Sequence, residues 1–168
     1  MKNIIKTAVL MLALASLVSC KNESKKDETT IDSNAVTAEL SFKDESVGKQ
    51  FQHYIHLKTA LVDSDMNKAK SGALMLLENT ADDTLKELLT KISEASEIEE
   101  QRTLFSDVTE KMTGIVNESI RSGKVYQQFC PMAFNNEGGF WLSTEEEIRN
   151  PYFGDRMLKC GRVTETIK

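Results

Sequence analysis

Apolar residues recur at three- and four-residue steps in four successive runs, the spacing of amphipathic helices that each bury one stripe. Val47, Phe51, Tyr54, Ile55, Leu61 and Val62 form the first stripe, interrupted by Lys58, and predict a helix over about 44–62. Asp63-Ser64-Asp65 stops it and caps a second helix, about 65–79, with Met66, Ala69, Ala73, Leu76 and Leu77 on one side. Asp82 and Asp83 suit the start of a third, about 82–95, carrying Leu85, Leu88, Leu89, Ile92 and Ala95. The fourth, about 97–121, opens on Ser96 with Glu99 three positions later, a capping-box pair. It continues through Ile98, Gln101 or Arg102, Phe105, Val108, Met112, Ile115 and Val116, and Gly123 ends it. Short links between successive helices favour antiparallel neighbours. The expected fold class is therefore mainly α, an up-down-up-down four-helix bundle. Met66, Met75 and Met112 are assigned to its apolar stripes.

Beyond Gly123 the period shortens and aromatic residues gather. Lys124–Phe129 alternates and suits a strand, Gly139–Leu142 suits its partner, and Asn135-Asn136-Glu137-Gly138 is turn material between them. Ser143 with Glu146 makes a second capping box, for a short helix ended by Asn150-Pro151. Glu145-Glu146-Glu147 then reads as charge placed at a helix start. Residues 124–168 are expected to form a small C-terminal β-hairpin/loop cap on a bundle domain spanning 44–168. Trp141, Tyr152 and Phe153 are its candidate interaction surface.

The N-terminus changes the compartment. Lys2 and Lys6 precede an apolar run too short to span a bilayer as a mature helix, so residues 1–19 read as an export signal. The ending Leu17-Val18-Ser19-Cys20 resembles the bacterial lipobox, which implies lipidation of Cys20 and anchoring in the cell envelope, facing the periplasm or at the outer membrane. Residues 20–43 are polar and mixed in charge, the composition of a flexible tether. Removing the leader and its two lysines takes the net charge from −5 to −7. That gives no support for nucleic-acid binding.

With Cys20 lipidated, two thiols remain. Cys130-Pro131-Met132 is answered by Met157-Leu158-Lys159-Cys160, so each cysteine has a methionine two or three positions away. Thiolate and thioether are soft ligands that select Cu(I). Cys130, Met132, Met157 and Cys160 are thus a candidate site for Cu(I) or Ag(I). The competing reading is a Cys130–Cys160 disulfide closing a loop of about 30 residues, worth about 2–4 kcal/mol in an oxidising compartment. His53 and His56, three apart on the first helix, are candidate extra ligands, although they fall away from the apolar stripe. No Cys-x-x-Cys, Gly-rich phosphate loop or His-Glu-x-x-His pattern is present, and a non-enzyme is expected.

Several stretches carry a resemblance. These are Tyr54-x-x-Leu57-Lys58-x-Ala60-Leu61-Val62-x-Ser64-Asp65, Glu100-Gln101-Arg102-x-x-Phe105, and Val125-Tyr126-x-Gln128-x-Cys130-Pro131-Met132-Ala133. Trp141-Leu142-Ser143, Ile148-x-Asn150-Pro151-Tyr152-Phe153-Gly154 and Met157-Leu158-x-Cys160-Gly161 complete them. From about Val47 to Ile167 the chain resembles the bacterial domain-of-unknown-function family numbered 3347. Its members look like exported proteins or C-terminal extensions of copper/silver efflux membrane-fusion proteins. The resemblance implies heavy-metal handling at the envelope and such a membrane-fusion protein as partner. Tyr126-x-x-x-Cys130-Pro131-Met132 is also similar to the Tyr-x-Cys-Pro-Met-His-Pro motif of small heavy-metal-binding domains, with Ala133-Phe134 in place of His-Pro.

Overall fold

A computed structural model describes residues 39–168. The export signal, Cys20 and all but the end of the tether lie outside the described residues. The chain is mainly helical, with small antiparallel sheets. Helix α1 (Glu45–Val62) begins where the Asp44 carboxylate accepts from the Ser46 N–H at 2.8 Å. Helix α2 (Met66–Asn79) is capped by Asp65 and α3 (Asp83–Glu94) by Asp82, whose carboxylates accept from the N–H groups of Lys68 and Leu85. These caps satisfy amides that a helix start leaves open.

Helix α4 (Ile98–Ser119) starts without the expected capping box: Glu97 is its N-cap residue and makes no side-chain cap bond. The Glu99 carboxylate instead accepts from Arg102 at 3.0 Å and from Arg156 at 2.7 Å. Two charge-assisted bonds outcompete one bond to a backbone amide. The helix also stops earlier than expected. Residues Ile120–Ser122 form strand β2, paired with β1 (Ser41–Phe42) at the N-terminal end of the described chain. Gly123 then turns the chain at φ +85°, where a Cβ would lie 2.5 Å from the Leu40 backbone.

Helix α1 packs on α2, α2 on α3, α3 on α4, and α4 back on α1. Leu57, Leu61, Leu76, Leu85, Leu89, Ile92, Phe105, Val108, Met112 and Val116 are wholly buried between them. Met75 departs from its assigned stripe. It is 44 % exposed on α2, so only Met112 of the three expected methionines is fully in the core.

The C-terminal cap holds one sheet more elaborate than a hairpin. Strand β3 (Val125–Cys130) lies between β4 (Gly139–Ser143) and β5 (Arg162–Ile167), both antiparallel to it. The expected short helix after Ser143 does not form. Ser143 ends β4, and its hydroxyl accepts from the Glu145 N–H in a local turn. The acidic stretch is held by Gln128, whose amide nitrogen donates to the carbonyls of Glu145, Glu146 and Glu147.

Two features dock the cap on the helices. Arg102, 3 % exposed, donates to the carbonyls of Pro151 and Leu61 and to the Ser64 hydroxyl. One guanidinium thus joins α4, the α1–α2 corner and the cap, a task for its fixed fork of donors. A run of aromatic rings does the same in the core. Phe42 meets Phe51, Phe51 meets Tyr54, Tyr54 meets Phe105, Phe105 meets Tyr152 and Tyr152 meets Trp141, with centroids between 5.1 and 6.1 Å apart.

Candidate metal or redox centre

Cys130 ends the central strand of the cap, fully buried and paired with Gly139 of β4. On the other edge Phe129 pairs with Arg162 of β5. Antiparallel pairing therefore brings Cys160, two residues before Arg162, alongside Cys130. Their sulfurs are 3.2 Å apart, and both are free thiols.

The segment leading into Cys160 is fixed by buried Asn150. Its side-chain nitrogen donates to the Cys160 carbonyl and its side-chain oxygen accepts from the Tyr152 N–H, both at 2.9 Å. Its backbone N–H donates to the Leu158 carbonyl, also at 2.9 Å. The Cys160 N–H donates to the Met157 carbonyl at 3.0 Å, closing a turn between that pair. Gly161 follows at φ +148°, and a Cβ there would stand 2.9 Å from Trp141 and 3.0 Å from the Phe129 carbonyl. The backbone beside Cys160 is thereby pressed against the aromatic core.

Cys130 holds the Cys160 thiol above its ordinary pKa, first by hydrogen bonding, with burial and charge repulsion adding to it. A sulfur pair at 3.2 Å stands between two chemical states. Two sulfurs bonding one ion at about 2.3 Å, tetrahedrally, stand about 3.8 Å apart. A disulfide requires about 2.05 Å. The first state needs an opening of about 0.6 Å and the second a closing of about 1.2 Å, and each is within reach of a side-chain rotation. Met157 is half-buried and Met132 is 46 % exposed.

His53 and His56 do not join this pair. Among the described residues no group of three or more histidine, cysteine, aspartate or glutamate side chains is placed to hold a metal. The two histidines would complete such a group if they lay by the thiols. They sit instead on α1, their ring centroids 5.8 Å apart. Burial first, and then the neighbouring His56, hold the His53 imidazole below its ordinary pKa, against the pull of Glu78.

The expected interaction surface is also displaced. Trp141 is wholly buried and Tyr152 is 4 % exposed, so both serve the core. Phe153 is half-buried, with the Arg156 guanidinium 5.6 Å from its ring centre. Among the described residues, the large apolar side chains left exposed are Leu74, Met75, Met132 and Phe140. Asn150, which positions the Cys160 segment, and Arg102 and Gln128, which hold the cap around it, stood in the sequence as polar members of the motifs quoted above. Their roles depend on backbone carbonyls distant in sequence, which no local pattern reveals.

Residues 51–123 match the model of the family described as Protein of unknown function (DUF3347), the family that the sequence resembles. The match covers most of α1 and all of α2, α3 and α4, and it ends before Cys130. No curated protein and no solved structure matches the chain. Among the described residues no helix is long and apolar enough to cross a membrane.

Proposed function

For a chain whose helices carry this family match, we propose that the protein binds a soft metal ion, Cu(I) or Ag(I), between Cys130 and Cys160. It acts as a chaperone, buffer or accessory to metal efflux, not as an enzyme. The observation that carries this reading is the 3.2 Å approach of two free thiols from opposite ends of the cap. Met157, one turn before Cys160, and Met132, two residues after Cys130, are the thioethers available to complete the ligand set. The leader and the Leu-Val-Ser-Cys ending support export and anchoring through Cys20 at the envelope. The partner proposed for it, a copper/silver efflux membrane-fusion protein, rests on the family resemblance of the sequence alone. An alternating up-down course for the four helices fits their short links and the return of α4 onto α1.

The test is a competition between the reduced protein and bathocuproine for Cu(I). One tight equivalent is expected, weakened at least about tenfold by Cys130→Ser and by Cys160→Ser. Equal competition by the double Cys→Ser protein would end the proposal. The second reading, an envelope lipoprotein stapled by a Cys130–Cys160 disulfide, draws on the same closeness. Mass spectrometry of alkylated protein taken directly from cells separates the two. A fully oxidised pair, whether cells are starved of copper or fed it, favours the staple.

A further inference from the structure

We propose a second metal site, separate from the thiols and independent of the reading above, in which His53 and His56 chelate a copper ion with Met75 supplying a thioether from α2. An imidazole nitrogen binds a metal at about 2.0–2.1 Å, which places the ring centre about 3.2 Å from the ion. Two such rings on one ion, at angles between tetrahedral and linear, have centres about 5.2–6.4 Å apart. The observed 5.8 Å falls inside that window.

Two further observations bear on these three side chains, one on His53 and one on His56 with Met75. His53 Nδ1 is buried without a hydrogen-bond partner, a desolvation cost that a metal bond made by Nδ1 itself would remove. His56 and Met75 line one open groove of about 390 Å³, together with Thr59, Ala60 and Gly72. Met75 is 44 % exposed, one of the large apolar side chains left uncovered among the described residues. Imidazole accepts copper, zinc or nickel, whereas thioether is a ligand for copper in its reduced state. Two imidazoles with one thioether therefore point to Cu(I) ahead of Zn(II). The ligands lie on packed helices, so binding needs side-chain adjustment and no refolding.

The experiment uses the Cys130→Ser/Cys160→Ser protein, which removes the thiol site whether or not it binds metal. Under anaerobic reducing conditions it is titrated with Cu(I) against a chromophoric chelator weaker than bathocuproine, and separately with Zn(II). One Cu(I) equivalent is expected, weakened at least about tenfold by His56→Gln and several-fold by Met75→Leu, with Zn(II) at least about tenfold weaker. Each variant's helical circular dichroism should match the parent's, because His56 and Met75 are exposed. Absence of Cu(I) binding, or binding unchanged in His56→Gln, overturns the site. Zn(II) binding as tight as Cu(I) with no effect of Met75→Leu overturns the assignment of Met75 and of copper.

Discussion

Lys58 interrupts the first apolar stripe, and the structure buries it to 7 % exposure on α1. Burial pushes its amine below the ordinary lysine pKa, and Arg149 acts in the same direction, while Glu145 and Asp63 oppose them. The lowered value fixes a sign. At neutral pH both folded and unfolded chains carry the charge, and the folded state bears the full cost of burying it. As pH rises through the folded pKa toward the ordinary lysine value, the folded protein releases its proton first and the cost fades. Lys58→Met should therefore stabilise the protein at pH 7, by about 1 kcal/mol. Its advantage over the parent should shrink by pH 9.5. Urea unfolding of both proteins at the two pH values measures this. A destabilised variant at pH 7, or an advantage that grows with pH, would show that Lys58 is held by favourable pairing instead.

At the scale of elements, what was legible depended on how local its cause is. Asp65 and Asp82 announced helix starts because a cap needs only its own next turn. Ser96 with Glu99, and Ser143 with Glu146, carried the same signature and misled. In the first the carboxylate found two arginines, one of them distant in sequence, and in the second the serine closed a strand. Strand β5 escaped because it follows a turn-rich stretch and four of its six residues are polar, although Val163, Thr164, Thr166 and Ile167 are β-branched strand formers. Missing it hid the device that aligns Cys160 with Cys130, while the pairing of the two thiols was still readable from their count. Removal of residues 162–168 should leave the helical circular dichroism nearly intact, because Trp141, Pro151 and Tyr152, which dock the cap on the helices, remain in place. It should also slow disulfide formation between Cys130 and Cys160 and speed their labelling by a thiol reagent, at least about tenfold. If the truncated protein oxidises as readily as the full chain, Asn150 and the turn at Met157 align the thiols without the strand.

For the whole molecule the question is whether cap and helices are one cooperative body. Their shared aromatic run passes from Phe51 on α1 through Tyr54 and Phe105 to Tyr152 and Trp141. The Tyr54 hydroxyl bonds Thr109 of α4 and accepts from the Leu142 N–H of β4, so even its polar atom ties the two parts together. Breaking the cap away would strip water-excluding cover from Tyr54 and Phe105 and leave Arg102 without its Pro151 acceptor, costs far above thermal energy. One transition is therefore expected. The chain has a single tryptophan, Trp141, which lies in the cap, whereas far-ultraviolet circular dichroism follows the helices. In urea the two signals should share a midpoint and slope in reduced protein free of metal. Closing the thiols or loading them with Cu(I) should then move both curves together, because stabilisation at one corner of a cooperative unit is felt by all of it. A tryptophan curve that shifts on its own would mean that the cap folds as a separate body resting on the helices, and that metal or oxidation acts on it alone.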